Sequence, residues 1–237
     1  MSLISRAVRR ATLGARKRLR FRDARRLGIV YVPPNVVYRD AIGPGDVVVD
    51  VGCAGDADFS KHMIHRHGAM AWGVDPTHKH ASALARLETE LHGRFRHLAV
   101  AVAARPGRLT FHESESNVSG SLLADHVNVV RDAGREYEVE AMSLDVLVER
   151  IGADRVAILK LDLEGAEYEL LGEVRKETLA PFAQLFIEFH HHAVPRYSEQ
   201  DTWAIVRRLE GLGFSSFTLD DHNFVLFREG LSSSPSL

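Results

Sequence analysis

Four stretches of this 237-residue chain put charged residues or glycines where a plain buried strand would carry neither. The run Ile158-Leu-Lys160-Leu-Asp162-Leu-Glu164-Gly165-Ala166-Glu167 sets Lys160 and Asp162 inside, or at the end of, an otherwise apolar strand. Charge is rarely placed there unless it is paired or functional. With the two-residue period of a strand, residues 160, 162 and 164 fall on one face. Lys160 is read as half of a structural ion pair, and Asp162 as a site residue with Glu164 beside it. In Val47-Val-Val-Asp50-Val-Gly52-Cys-Ala-Gly55, an acid closes a strand and glycines form the next turn. Such a turn lets backbone approach a nucleotide-like ligand, while the acid accepts bonds from a charged ligand end. About 20 residues further on, Gly73-Val74-Asp75-Pro76 ends the following strand, at the spacing of a carboxylate that holds both ribose hydroxyls of an adenosine. The competing reading of Asp75 is an N-cap for a helix beginning near His78. Finally, His190-His191-His192 follows Glu188 at a predicted strand end, where open α/β sheets build their sites.

The elements around these residues alternate in period. Val47–Val51 is almost wholly apolar and β-branched, the pattern of a strand buried on both faces. Phe59, Met63 and His67 share one helical face that Gly68 stops. Ala71–Val74 is the next strand, Leu84, Leu87 and Leu91 line a helix closed by Gly93, and Phe95–Ala103 is a third strand. Arg105-Pro106-Gly107 is turn chemistry, and 106–139 reads as an insertion of small strands and a loop. Ser143 caps a helix bearing Leu144, Leu147, Val148 and Ile151. Val156–Leu161 and Leu185–Phe189 are the fourth and fifth core strands, with a helix marked by Ala166, Leu170 and Val174 between them. Ser198 caps a further helix carrying Trp203, Val206 and Leu209. Phe214–Leu219 and Asn223–Phe227 follow, joined so tightly that an antiparallel pair at the sheet edge is expected. The expected fold is α/β: a doubly wound sheet, mostly parallel, with an antiparallel edge strand.

Composition, 45% hydrophobic and 26% charged, is that of a soluble globular protein. No apolar run approaches the roughly 18 residues of a membrane span, and the first residues lack the apolar core of a secretory signal. With Cys53 as the single cysteine, no intrachain disulfide can form. A cytoplasmic location is expected. The net charge of −2 hides an asymmetry: residues 1–27 hold ten Arg or Lys and one acid, leaving the rest near −11. The expected organisation is a basic leader over 1–27, one domain over 28–230 and a flexible tail over 231–237. The leader is read as a solvated arm able to touch an anionic membrane surface. His62, His65 and His67 share one short helix without a carboxylate or cysteine to complete a metal set, and are read as solvated.

Asp-Val-Gly at Asp50, Ser143-Leu144-Asp145 before a helix, Lys160-Leu-Asp162-Leu-Glu164-Gly165 and Ile187-Glu188-Phe189-His190 occur in an order that resembles the FkbM family of methyltransferases. The resemblance spans about Val47 to His190, and Lys-x-Asp-x-Glu-Gly is its most specific part. It implies the class I methyltransferase fold, Rossmann-like, with S-adenosylmethionine as donor. It also implies a hydroxyl acceptor, often on a sugar, glycolipid or natural product. Asp50, Gly52, Gly55, Asp75, Ala101 and Asp162 are then the cofactor-binding set. Asn117-Val-Ser119-Gly120-Ser121 is similar to a small polar motif of the family's insertion, which puts Asn117 and Ser121 with Glu188 on the acceptor. One departure stands out: the family commonly continues Asp-Val-Gly with Ala-Asn-x-Gly, whereas here Cys53-Ala54-Gly55-Asp56 displaces the later glycine.

A hydroxyl acceptor must lose a proton, so a base is needed beside it. Asp162 and His190, at adjacent strand ends, are the candidates, with Glu164 and Glu188 orienting the acceptor or the base. A divalent ion on Asp162, Glu188 and His190 suits the oxygen and imidazole donors but is not required by the sequence. The alternative functions are a nucleic-acid methyltransferase that clamps its substrate with the leader and a donor-binding protein without catalysis. The acidic body, without an aromatic-basic stripe, weighs against nucleic acid, and the incomplete Gly-x-Gly-x-x-Gly pattern weighs against a nicotinamide enzyme.

Overall fold

The structure is a computed structural model that describes residues 20–116, 120–132 and 134–228. Most of the basic leader, Asn117 and the tail over 231–237 lie outside the described residues. Residues 20–26 are helical (α1). A hairpin follows, β1 (Ile29–Val32) and β2 (Val36–Arg39). Then come β3 (Val47–Val51), α2 (Asp58–His67), β4 (Met70–Val74), a 3-10 turn at His78–His80, α3 (Ala81–Glu90) and β5 (Phe95–Leu98). The middle of the chain gives β6 (Ala101–Val102), β7 (Gly107–Glu113), β8 (Gly120–Ser121), α4 (Val127–Arg131) and β9 (Arg135–Met142). After α5 (Leu144–Ile151), the chain adds β10 (Ile158–Asp162), α6 (Glu167–Glu173), β11 (Gln184–Glu188), α7 (Glu199–Gly211), β12 (Ser215–Thr218) and β13 (Asn223–Phe227).

Seven strands form the central sheet in the order β12-β13-β11-β10-β3-β4-β5. The two-residue period sorts its side chains into two cores. Val49, Leu159, Leu161, Leu185 and Ile187 enter one, while Val48, Ile158, Phe186 and Val225 enter the other. Burial on both faces is what the uninterrupted apolar strands require. β5, β4, β3, β10 and β11 run parallel. The reversed strand is β13, antiparallel to both β11 and β12. It therefore lies one place in from the edge, with β12 outside it, because the short link at 219–222 folds β13 back between its neighbours.

The predicted third strand over 95–103 divides. β5 stays in the central sheet, whereas β6 leaves it to join a smaller sheet ordered β6-β9-β7-β8. That sheet has its own apolar cluster around Ala101, Phe111 and Val139. It is tied to the turn after β4 by the stacking of His78 on Tyr137, ring centroids 3.8 Å apart. The His78 N–H also donates to the Tyr137 hydroxyl at 3.0 Å.

Both predicted Ser caps are present: Ser143 accepts from the Val146 N–H, and Ser198 forms a reciprocal capping box with Asp201. The end of the basic segment packs on the body, with Ala24 buried in the second core and Arg20 paired to Asp221 at 2.7 Å. His67, expected in solvent, is buried and lies 2.8 Å from the Tyr38 hydroxyl, because the β1–β2 hairpin covers that face of α2. Among the described residues no helix is long and apolar enough to cross a membrane.

Candidate active site

The carboxyl ends of β3, β4 and β10 open into a cleft whose far wall is the small sheet. Gly52, Asp75, Ala101, Asp162 and Glu164 line it, with Phe111 and Leu122 from the small sheet. Five of the residues read as site residues from sequence thus share one cavity.

Gly52 explains how the strands close around it. Its φ of +73° is left-handed, and a Cβ there would overlap the Asp162 carbonyl oxygen. Only glycine lets β3 turn this close to β10.

Asp75 acts in two ways at once. It lines the cleft, yet Oδ2 accepts from the Ala54 N–H at 3.0 Å and Oδ1 from the Thr77 N–H at 2.8 Å. His80 Nδ1 lies 3.4 Å from Oδ2. Burial pushes its pKa up, but the hydrogen bonds from His80 and Thr77 outweigh burial and hold it below the ordinary value. A depressed folded pKa means the contribution to stability is present above the unfolded carboxylate pKa. It is lost as pH falls through the folded pKa. Asp75→Asn should therefore be less stable than the wild type at neutral pH, with the gap closing below about pH 4. Urea unfolding between pH 3 and 7 reads this; a gap independent of pH would contradict it.

Asp50 does not reach the cleft. It is 1% exposed, accepts from the Ser60 hydroxyl at 2.9 Å and pairs with Lys160 Nζ at 3.2 Å. That pairing is an ion pair without aligned hydrogen-bond geometry. The β3–β10 register, which sets Lys160 opposite Asp50, encloses its carboxylate between strands. Lys160 also donates to the Gly52 carbonyl at 3.1 Å and approaches Asp162 Oδ2 at 3.5 Å. Gly55 likewise misses the cleft and faces the His80 ring.

Ser121 is buried rather than presented to a substrate. Its hydroxyl donates to the Glu164 carbonyl at 2.8 Å and accepts from the Leu123 N–H at 2.9 Å, so it shapes the loop that holds Glu164. Glu164 itself does not continue the strand face. β10 ends at Asp162, and Glu164 sits in the following turn at φ +49°.

Asp162 and Glu188 are register partners at the ends of β10 and β11. His190 follows two residues beyond Glu188, behind the cleft and 5% exposed. Its Nε2 is 3.6 Å from Asp162 Oδ1 and 3.5 Å from Glu164 Oε2, and its Nδ1 is 3.1 Å from Glu167 Oε1. Glu167, wholly buried, also accepts the backbone N–H groups of His190 at 2.8 Å and Gly165 at 2.9 Å. Burial works against protonation of His190, but Glu167, Asp162 and Glu164 together push its pKa up to about 10. A ring already protonated at neutral pH is a poor base, which moves that role to the carboxylates. Burial raises Asp162, against the pull of Lys160 and His190. Burial and the neighbouring Asp162 push Glu188 up to about 7.

Two residues that the sequence did not single out belong here. Glu167 stands in the quoted motif as a helix-start acid, and its span from Gly165 to His190 is visible only in three dimensions. His126 is fully buried, with Nε2 2.8 Å from Glu164 Oε2, bent away from ideal hydrogen-bond geometry. No spacing in the sequence connects it to the site. The ion set that the sequence allowed without requiring, Asp162, Glu188 and His190, is not the one that the described residues bring together. Ligand atoms of Asp162, Glu164 and His190 lie within 4.8 Å of one another, and Glu188 is not in the group. His191 turns away, its Nδ1 2.9 Å from the Thr202 hydroxyl.

A family model described as the methyltransferase FkbM domain matches residues 47–216. The chain belongs to this family of methyltransferases. Its central sheet is mostly parallel with antiparallel strands, and its donor is S-adenosylmethionine. No curated protein matches the sequence. Among solved structures, a Methanococcus jannaschii fibrillarin pre-rRNA processing protein is 11% identical, with a TM-score of 0.49 over 86% of this chain and 72% of that one. A SAM-dependent methyltransferase from Aquifex aeolicus is 14% identical, with a TM-score of 0.37 over 78% of this chain and 82% of that one. M. capricolum TrmK in complex with S-adenosyl-homocysteine is 12% identical, with a TM-score of 0.38 over 82% of this chain and 67% of that one.

Proposed function

We propose that the enzyme methylates a hydroxyl oxygen on a small-molecule or saccharide acceptor. The observation that carries this reading is the acidic end of the cleft. Asp162 and Glu164 line it, and Glu188 adjoins Asp162 across the sheet. Carboxylates accept hydrogen bonds from hydroxyls and repel phosphates, so a neutral polyol suits this end better than a nucleic-acid backbone.

In this reading Gly52, Asp75, Ala101 and Asp162 hold the donor. The close approach of backbone at Gly52 and the apolar wall at Ala101 fit a nucleoside. The Asp75 oxygens keep lone-pair capacity for ribose hydroxyls beyond the Ala54 and Thr77 N–H groups and the His80 ring nitrogen they already meet. Bound there, S-adenosylmethionine supplies a methyl group on a sulfonium, already primed to leave. The protein's part is to align the acceptor oxygen and exclude water. Asp162, at the junction of the donor cleft and the acidic end, accepts the hydroxyl hydrogen bond and then the proton. Glu164, held by Ser121 and faced by His126, orients the acceptor.

Incubation with methyl-labelled S-adenosylmethionine and a panel of saccharides, polyols, phenols and oligoribonucleotides tests the reading. Label on a hydroxyl of a small acceptor is expected. Label in the oligoribonucleotides alone would replace it with the nucleic-acid alternative.

A further inference from the structure

We propose that Asp162, Glu164 and His190 bind one divalent first-row transition ion at the acidic end of the cleft. The proposal rests on the hydroxyl-acceptor reading for what the ion does, though not for its binding.

Three observations support it. The first is spacing. His190 Nε2 stands 3.6 Å from Asp162 Oδ1 and 3.5 Å from Glu164 Oε2. Both are too long for good hydrogen bonds. Two donors each about 2.1 Å from a shared ion, with about 110° between them, lie roughly 3.4 Å apart. The second is orientation. Glu167 Oε1 takes the Nδ1 side of His190 at 3.1 Å and its backbone N–H at 2.8 Å. This turns Nε2 toward the two carboxylates, the carboxylate–histidine arrangement that supports metal-ligating imidazoles. His126 adds a second support. Its Nδ1 accepts the Asn128 N–H at 3.3 Å, which assigns the proton to Nε2, facing Glu164 Oε2. The third is charge. Asp162, Glu164 and Glu167 all face His190, and the nearby ammonium of Lys160 is shared with buried Asp50 at 3.2 Å. A divalent cation beside His190 Nε2 would meet the Asp162 and Glu164 carboxylates together.

Two carboxylates and one imidazole suit Mn²⁺, Fe²⁺ or Zn²⁺ better than Mg²⁺ or Ca²⁺, which prefer oxygen alone. From this corner the ion would polarise an acceptor hydroxyl beside Asp162 and ease loss of its proton.

The test is Mn²⁺ titration of chelator-treated full-length protein, followed by the loss of the free-ion spin-resonance signal and by calorimetry. One ion per chain is expected, bound at least about tenfold tighter than Mg²⁺. Glu164→Gln and His190→Ala should each weaken uptake by about 100-fold or more. Glu167→Gln, which acts through His190, should weaken it 10- to 100-fold, on the order of a lost outer-shell partner. Glu188→Gln should leave it within about threefold. Circular dichroism checks that each variant is folded, and Glu164→Gln decides alone if His190→Ala is not. Absence of uptake, uptake indifferent to Glu164→Gln, or equal affinity for Mg²⁺ would overturn the proposal. Uptake is read without donor or acceptor, so its failure leaves hydroxyl methylation standing. Label found only in RNA leaves the ion site standing.

Discussion

Lys160→Ala is expected to destabilise the fold by about 3–5 kcal/mol, the cost of leaving a buried charge without its partner. Lys160 is 7% exposed and Asp50 1%, so neither can turn to water when the other is removed. Burial pulls the Lys160 pKa down, but Asp50 and Asp162 raise it by more, and the ammonium stays charged. A raised folded pKa places its contribution in full below the unfolded lysine value of about 10.4, to be lost only as pH rises beyond that. At neutral pH the whole effect should appear in urea unfolding. Adding Asp50→Asn to Lys160→Met should recover much of the loss, because the pair is then replaced by groups that need no counter-charge. A double variant no more stable than Lys160→Met alone would mean that Lys160 holds the strands through the Gly52 carbonyl instead.

Asp162→Asn should lower turnover at saturating donor by about 100-fold or more, the scale of losing a general base. The amide keeps the shape at the cleft floor and the contact with Lys160, but it cannot take a proton. His190→Ala is a different case. The ring stands behind the cleft against Asp162, Glu164 and Glu167, so its removal acts through the placing of those carboxylates. Stopped-time assays at saturating donor separate the two. Near-normal turnover in Asp162→Asn would transfer the base to Glu188, its register partner on β11.

The parts of the fold that could be read in the sequence are those where burial dictates composition. β3, β4, β10 and β11 are apolar on both faces, so their few charged positions stand out, and Asp75, Asp162 and Glu188 do mark strand ends. The Ser143 and Ser198 caps are local chemistry and read directly. Side-chain direction past a strand end is not local. The pattern that assigned Glu164 to the face of Lys160 and Asp162 assumed the strand continued, whereas the chain turns left-handed there. Asp50 has the look of a ligand-binding acid, yet the register of β3 with β10 encloses it against Lys160. Phe95–Ala103 reads as one strand because no glycine, proline or turn residue interrupts it, and nothing in that stretch signals that β6 crosses to a second sheet. His126 reaches Glu164 from a loop between β8 and β9, a meeting that depends on the small sheet packing as a unit.

The central claim, that the cleft at the ends of β3, β4 and β10 is the donor site, is tested most directly by thermal unfolding with S-adenosylhomocysteine. At 100 times its dissociation constant, a ligand bound only by the folded state adds about 2.7 kcal/mol. The wild-type protein should show that stabilisation with S-adenosylhomocysteine and none with NAD. Asp75→Ala should weaken the affinity by about 1.5–3 kcal/mol, the range for hydrogen bonds to a charged group. Stabilisation by NAD alone, or full S-adenosylhomocysteine affinity in a folded Asp75→Ala variant, would contradict the assignment.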